Sequence, residues 1–466
     1  MKLTVRLAVI FVLAVGILTL YCSLMVTSSQ WRQHRDIFVL HRTIPKDVTE
    51  QCYTNMSSKR HTRQQCSLEK LSHDCDALIE IHGYEKPVDK EELDFPLAFG
   101  IKMHTSPQQA EQLLRTIYRP HNIYCIHVDE KADDKVFRQM TSIASCFPNV
   151  IMTDRISYVY ASFDAVRADL RTMACALDSA VRWKYFMNVA GQEFPLKTNL
   201  EMVRILKKLN GTNDIESFPV NFNYQHRFSR VHIMKNDRLM KTSIKKNPPS
   251  FDIRKGTQYS AFSRAFVTTF FYDDKVSDKV RDIINFFQDT RSPDEHIWAT
   301  INQLPWIPGG YPVHVRHTPR NEHLSRAVVW QGGDDYKCRG KYVREVCILS
   351  MADLPWLLQQ PNLFANKFKL DVDSRVLRCL EAVLNQRAMS RGITIDESYI
   401  ENLPHVKFRR NKSDITTNQT HISDNISDVN NNNTHRRRKY SQTLINVSAV
   451  LDQTSRSRGA TTDESH

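Results

Sequence analysis

The sequence predicts an α/β protein: a mainly parallel sheet flanked by helices, preceded by a single N-terminal transmembrane helix and a stem. Three observations predict it. Between residues 95 and 400, short apolar runs alternate with segments of helical period. Residues 7–26 are apolar over nearly the length that spans a bilayer. Residues 27–94 are polar and rich in Lys, Arg, Ser and Gln, as a stem would be. With 466 residues, 41% of them hydrophobic, the chain can bury one large catalytic core with appendages.

The first element is the anchor. Leu7 to Met25 is interrupted only by Thr19 and Ser23, and Lys2 and Arg6 precede it with no acidic residue nearby. That bias keeps residues 1–6 cytosolic and sends everything after residue 26 into the lumen. A cleaved signal peptide would have a shorter apolar core ending in a small-x-small site, which Tyr21-Cys22-Ser23-Leu24-Met25 fits poorly.

Two residue types suit a lumenal chain. Asn-x-Ser/Thr acceptor triplets start at Asn55, Asn210, Asn411, Asn418, Asn425, Asn432 and Asn446. Apart from Cys22 in the anchor, nine cysteines remain, with no Cys-x-x-Cys and no zinc-type Cys/His spacing. In an oxidising lumen they allow up to four disulfides with one thiol left over. The net charge of +13 is scattered, and its densest run, Arg436–Lys439, lies in a polar tail, so no nucleic-acid partner is expected.

Within the 95–400 region, Leu97 to Met103 reads as a strand, and Ser106 caps a helix whose Ala110, Leu113, Leu114 and Ile117 share a face. Asn122 to Val128 and Asn149 to Met152 are further strands. Ala161 to Val181 has helical spacing, and Tyr185 to Val189 is a buried strand. That order implies ligands outside the carboxyl ends of the strands, where Asp129 sits. Residues 401–466, rich in Asn, Ser, Thr and Arg, are expected to be a disordered, glycosylated tail.

Several segments, in order, carry a resemblance. They include Phe95-Pro96-Leu97-Ala98, Ile123 to Asp129, Ile143 to Phe147, Val159-Tyr160-Ala161-Ser162, Ala168-Asp169-Leu170 and Phe194 to Asn199. Ser292-Pro293-Asp294-Glu295 with Trp298-Ala299-Thr300, and Leu363 to Phe368, complete the set. Over roughly residues 95 to 385 the chain resembles the core 2/I-branching β-1,6-N-acetylglucosaminyltransferases (glycosyltransferase family 14). The resemblance implies a GT-A-like fold in a Golgi type II membrane protein. It also implies an inverting transfer of GlcNAc from a UDP-sugar donor to Gal or GalNAc of O-glycan acceptors on glycoproteins, with no cofactor or metal, and a homodimer as an expected assembly.

The residues allow a physical reading of the metal expectation. GT-A enzymes commonly hold a divalent cation on an Asp-x-Asp at a strand end, but Asp74-Cys75-Asp76 and Asp371-Val372-Asp373 follow no such strand. Fixed cations must then offset the departing diphosphate. The resemblance assigns this to Arg344, inside Cys338-x8-Cys347, and Lys367. It makes Glu295 the general base, and Asp294 is the residue better placed to complement the helix start. Lys102, Met103, His104, Asp129, Glu130, Lys131 and Tyr160 match nucleotide-sugar positions, and Glu216, Arg227, Arg316 and Trp330 match acceptor positions.

The chain also departs from the family pattern. Gly332 stands where the family has a Tyr, an acceptor-side Lys aligns near Tyr224, and Ala190 replaces a free cysteine. The implied disulfides are Cys52–Cys379, Cys75–Cys146, Cys125–Cys175 and Cys338–Cys347. Cys66 is then odd, and Cys52 and Cys66 could exchange roles. Donor discrimination rests on one or two pocket contacts, so a UDP-glucose-using branching enzyme on core 1 and a protein xylosyltransferase-like enzyme are the rival transferases. A non-catalytic carbohydrate-binding module would keep Trp330 and Glu216 without needing Glu295, Arg344 and Lys367 together.

Overall fold

The computed structural model describes residues 68–417 apart from Asp273, 313–322, 334–335 and 393–394. The anchor, Asn55, Cys52, Cys66, Arg316 and the acceptor triplets from Asn418 onward lie outside the described residues. Among those described, no helix is long and apolar enough to cross a membrane.

Four parallel strands form the heart of the main sheet: β1 (Leu97–Met103), β2 (Ile123–Val128), β3 (Val150–Met152) and β4 (Tyr185–Ala190). Their spatial order is β3-β2-β1-β4, extended by the antiparallel strands Ser260–Ser263 and Asp214–Ile215. The expected strands therefore occur within a residue of their read boundaries. The antiparallel edge was not foreseen, since its short runs lack a distinctive period.

The pleat sorts side chains to two cores. On β1, Leu97, Phe99, Ile101 and Met103 join one buried cluster with the helices Pro107–Ile117, Asp134–Ser145 and Asn199–Lys208. Ala98, Ile123 and Cys125 face the other, under the helices Asp164–Asp178, Arg264–Tyr272 and Ile297–Asn302. Gly100 points the same way. A Cβ there would lie 2.5 Å from Phe186 and from Thr172, so only glycine lets the helix Asp164–Asp178 approach β1 so closely. The disulfide Cys125–Cys175 ties β2 to that helix.

That helix begins at Asp164 rather than Ala161. Ala161 adopts a left-handed φ of 64°, and Asp164 accepts hydrogen bonds from Val159 N and the Ser162 hydroxyl. These residues form a turn facing the site.

Both ends of the catalytic region extend further than the sequence reading drew them. The segment 68–94, read as stem, forms three helices and buries Leu71, Leu78 and Tyr84 in the first core. Cys75–Cys146 staples it to the fold. At the other end, Pro404–Thr417 is helical and buries His405 and Val406, although it was assigned to the disordered tail. Averaged polarity hid a few apolar anchors in each segment.

Candidate active site

The site is built at the carboxyl ends of β1, β2 and β4, where one irregular segment, Tyr158–Ser162, contacts Asp129, Ser292 and Arg344. Asp129 follows β2, and its Oδ1 accepts from Lys131 N at 3.0 Å and Tyr158 N at 3.1 Å. The Ala161 carbonyl accepts from Ser292 N at 2.7 Å. The Arg344 guanidinium lies 5.4 Å from the centre of the exposed Tyr160 ring.

Ser292 opens the turn that carries Glu295. It has a left-handed φ of 50°, and Pro293–Glu295 is one 3₁₀ turn. His296 breaks the geometry before the helix Ile297–Asn302 begins, so Glu295 sits on a tight turn before the helix start expected for it. Its carboxylate is matched by two cations. Arg227 Nη1 donates to Oε2 at 2.5 Å, and Lys255 Nζ lies 3.0 Å from the same oxygen. Burial alone would raise the Glu295 pKa, but Lys255 and Arg227 outweigh it and hold the group below the usual carboxylate value.

Asp294 lies in the first turn, as expected of it, and is buried there. It is 7% exposed and has its pKa pushed up to about 7 by burial and by the adjacent Glu295. Beside it lies a buried ion pair, Lys102 Nζ to Asp169 Oδ1 at 2.7 Å. Lys102 therefore spends its charge on Asp169, because the pleat points it into the second core. Met103 is buried on the opposite face.

The residues expected at the diphosphate come from distant segments. Arg344 and Glu345 both have positive φ and form the two-residue turn of a hairpin, Lys341–Val343 with Val346–Ile348. Cys338–Cys347 closes the base of that loop. Leu349 N donates to the Lys367 carbonyl at 2.8 Å, which brings Lys367 alongside. Burial, Lys369 and Arg344 all push the Lys367 pKa down. His104 is pushed down by burial and then by Lys367, so it borders the same cluster. Among the described residues neither Arg344 nor Lys367 has an ion-pair partner, which leaves a positively charged surface unmatched.

A buried network braces this corner. Arg326 and Glu193, both fully buried, pair at 2.9 Å, and Asn366 Nδ2 donates to Glu193 at 3.0 Å and to the Tyr259 hydroxyl at 2.9 Å. It fixes the residue next to Lys367.

The other expected residues are spread around these groups. Glu130 is exposed, and Lys131 pairs with Asp237 at 3.2 Å on the surface. Trp330 bridges to Val346, and Gln331 N donates to the Glu345 carbonyl, so Trp330 flanks the Arg344 hairpin. Gly332 takes a φ of 77°, a conformation that disfavours a side chain. Glu216 is buried, and its carbonyl packs where a Cβ on Gly256 would sit. At Tyr224, where an acceptor-side Lys was missing, the Lys255 ammonium lies 5.4 Å from the ring centre.

One Asp of each Asp-x-Asp pair has a structural contact. Asp74 caps the helix Cys75–His82, and Asp373 accepts from Met351 N and pairs with Arg375. Among the described residues no group of three or more His, Cys, Asp or Glu could hold a metal ion. The disulfides Cys75–Cys146, Cys125–Cys175 and Cys338–Cys347 are present. Cys379 is also disulfide-bonded, and its expected pairing with Cys52 lies outside the described residues. Asn210 is exposed with a left-handed φ of 46°.

Lys255 and Asp169 are the site residues that sequence reasoning missed. Asp169 stood inside the quoted Ala168-Asp169-Leu170, whereas a lone Lys before Gly256 carries no local signal.

Comparison with known proteins gives the family. Residues 97–358 match the model of the Core-2/I-Branching enzyme family. The chain is 42% identical over 315 residues to the sheep (Ovis aries) beta-1,3-galactosyl-O-glycosyl-glycoprotein beta-1,6-N-acetylglucosaminyltransferase 3, covering 65% of this chain and 70% of that one. It is 39% identical over 332 residues to the human (Homo sapiens) protein of that name, covering 68% and 75%. For the rat (Rattus norvegicus) protein the values are 37% over 361 residues, covering 74% and 81%.

Proposed function

The chain belongs to the core-2/I-branching enzyme family, and from that premise we propose that it transfers GlcNAc from UDP-GlcNAc in β-1,6 linkage onto O-glycans of glycoproteins. The observation that carries this reading is the Tyr158–Ser162 segment. It touches the loop after β2, the Arg344 hairpin and the turn of Glu295, which supports reading these residues as parts of one site.

The reaction is an inverting displacement. The acceptor hydroxyl oxygen attacks the anomeric carbon while Glu295 takes its proton. The bond from that carbon to the diphosphate breaks, and UDP departs with the electron pair. Arg344 and Lys367 compensate the charge that develops on the leaving group, the task a divalent metal performs in other enzymes. Glu295 suits its role because its paired cations keep it ionised in a mildly acidic compartment. The enzyme works as a Golgi type II membrane protein with its catalytic region in the lumen, where the disulfides are stable.

Soluble residues 27–466 with a panel of UDP-sugars and O-glycan acceptors, analysed by mass spectrometry, test this. The expected product is a β-1,6-GlcNAc branch. Exclusive use of UDP-xylose or UDP-glucose, or no transfer to any O-glycan, would overturn it.

A further inference from the structure

Lys255 enters the site from a two-residue strand, Arg254–Lys255, that pairs with Phe218–Pro219. Its side chain is 10% exposed, an unusual place for an ammonium. Three features hold it there. The Glu295 carboxylate lies 3.0 Å away, the rings of Phe218 and Tyr224 are centred 5.5 and 5.4 Å from Nζ, and the ammonium donates to the Gly256 carbonyl. The Gly256 N–H donates in turn to the Glu295 carbonyl at 2.8 Å, so Lys255 and Glu295 are registered through backbone as well as charge. Arg227 binds the same carboxylate oxygen, Oε2, from the opposite segment.

We propose that Lys255 is a positioning residue for the general base: with Arg227 it pins Oε2 of Glu295 and leaves Oε1 to receive the acceptor's proton. The assignment rests on the reading of Glu295 as base. A carboxylate with one oxygen held by two cations has a fixed plane, so the acceptor hydroxyl meets one defined lone pair. Lys255 also sets where the base stops working on the acid side. The charged and titratable groups around Glu295 are Arg227, Lys255, the buried His296 and Asp294 on its own turn, with Lys102 and Asp169 behind Asp294. Of these, Lys255 and Arg227 lower the carboxyl pKa. Removing one cation raises it, so the acid limb of kcat/KM moves to higher pH, by about one unit for a partner at this distance.

The test compares pH profiles of the full-length enzyme with Lys255→Met, Lys255→Gln, Lys255→Arg and Glu295→Gln. Met keeps the aliphatic stem against Phe218 and Tyr224, and Gln provides a second neutral variant should Met fail to fold. Both neutral variants are expected to shift the acid limb upward by about one pH unit and to lose roughly tenfold activity below it. Arg is expected to return the limb towards its original position. A neutral variant that is folded by thermal melt, yet keeps the wild-type limb while Glu295→Gln is inactive, overturns the role of Lys255 alone. Near-native turnover of Glu295→Gln overturns the base assignment itself.

Discussion

The turn carrying Glu295 and the hairpin carrying Arg344 differ in how their charges are matched. Around Glu295 one carboxylate meets two cations from separate segments, and every group is held before substrate arrives. Around Arg344, Lys367 and Lys369, like charges crowd together with no carboxylate at salt-bridge distance among the described residues, steadied by the Tyr160 ring, the Cys338–Cys347 closure and the Glu193–Asn366 network, whose Glu193 partly offsets the charge of Lys367. The first arrangement is complete and preorganised for a proton. The second would be completed by an anion, as the proposed function requires. A catalytic base has to be ionised and aimed in the free enzyme, whereas leaving-group cations act on charge that appears during reaction.

Removing the base should have the largest effect. Glu295→Gln keeps the shape but loses basicity, and the chemical step should slow by roughly 10²–10⁴-fold. UDP affinity measured by calorimetry should hardly change. If it falls with turnover, the two regions are not separable in this way.

Arg344→Ala should act on the other side. Losing a charge-assisted contact to phosphate should weaken UDP binding by about 1.5–3 kcal/mol, or roughly 10–150-fold, and lower turnover as well. Lys367→Ala should behave alike. Unchanged UDP affinity in both variants would remove them from the donor site.

A smaller effect is expected at Asp294, beside the matched region. Burial raises its pKa from 3.8 to about 7, so the fold favours the neutral acid. The sign follows: its contribution is full below the unfolded carboxyl range and is lost as pH rises through the folded value near 7. Asp294→Asn should therefore melt close to wild type at pH 4 and above it at pH 8. An equal difference at both pH values would show that Asp294 does not titrate in this range.

Chelation should have the smallest effect. With cationic side chains in the metal's place, turnover should be unchanged in excess EDTA. Loss of activity restored by manganese would reassign the unmatched region.

Elements that depend on local pattern were legible along the chain. Strand period marked β1 to β4 to within a residue, Ser106 announced its helix by capping chemistry, and order along the chain was enough to place the ends of the sheet. Glu295, Arg344 and Lys367 were singled out by motif resemblance together with the chemistry each residue type can supply. Tertiary structure decided what meets what. Arg227 and Glu295 touch across 68 residues of chain, and Lys255 joins them from a strand too short to have a period. Lys102 pairs with Asp169 because the alternation of β1 turns it inward, and Asp294 is buried on a 3₁₀ turn whose place in the fold local pattern does not specify. The segments 68–94 and 404–406 belong to the fold through a handful of buried side chains that average composition conceals. The physical reason is that periodicity and capping are properties of neighbouring residues, while ion pairing and burial depend on the path of the whole chain through space.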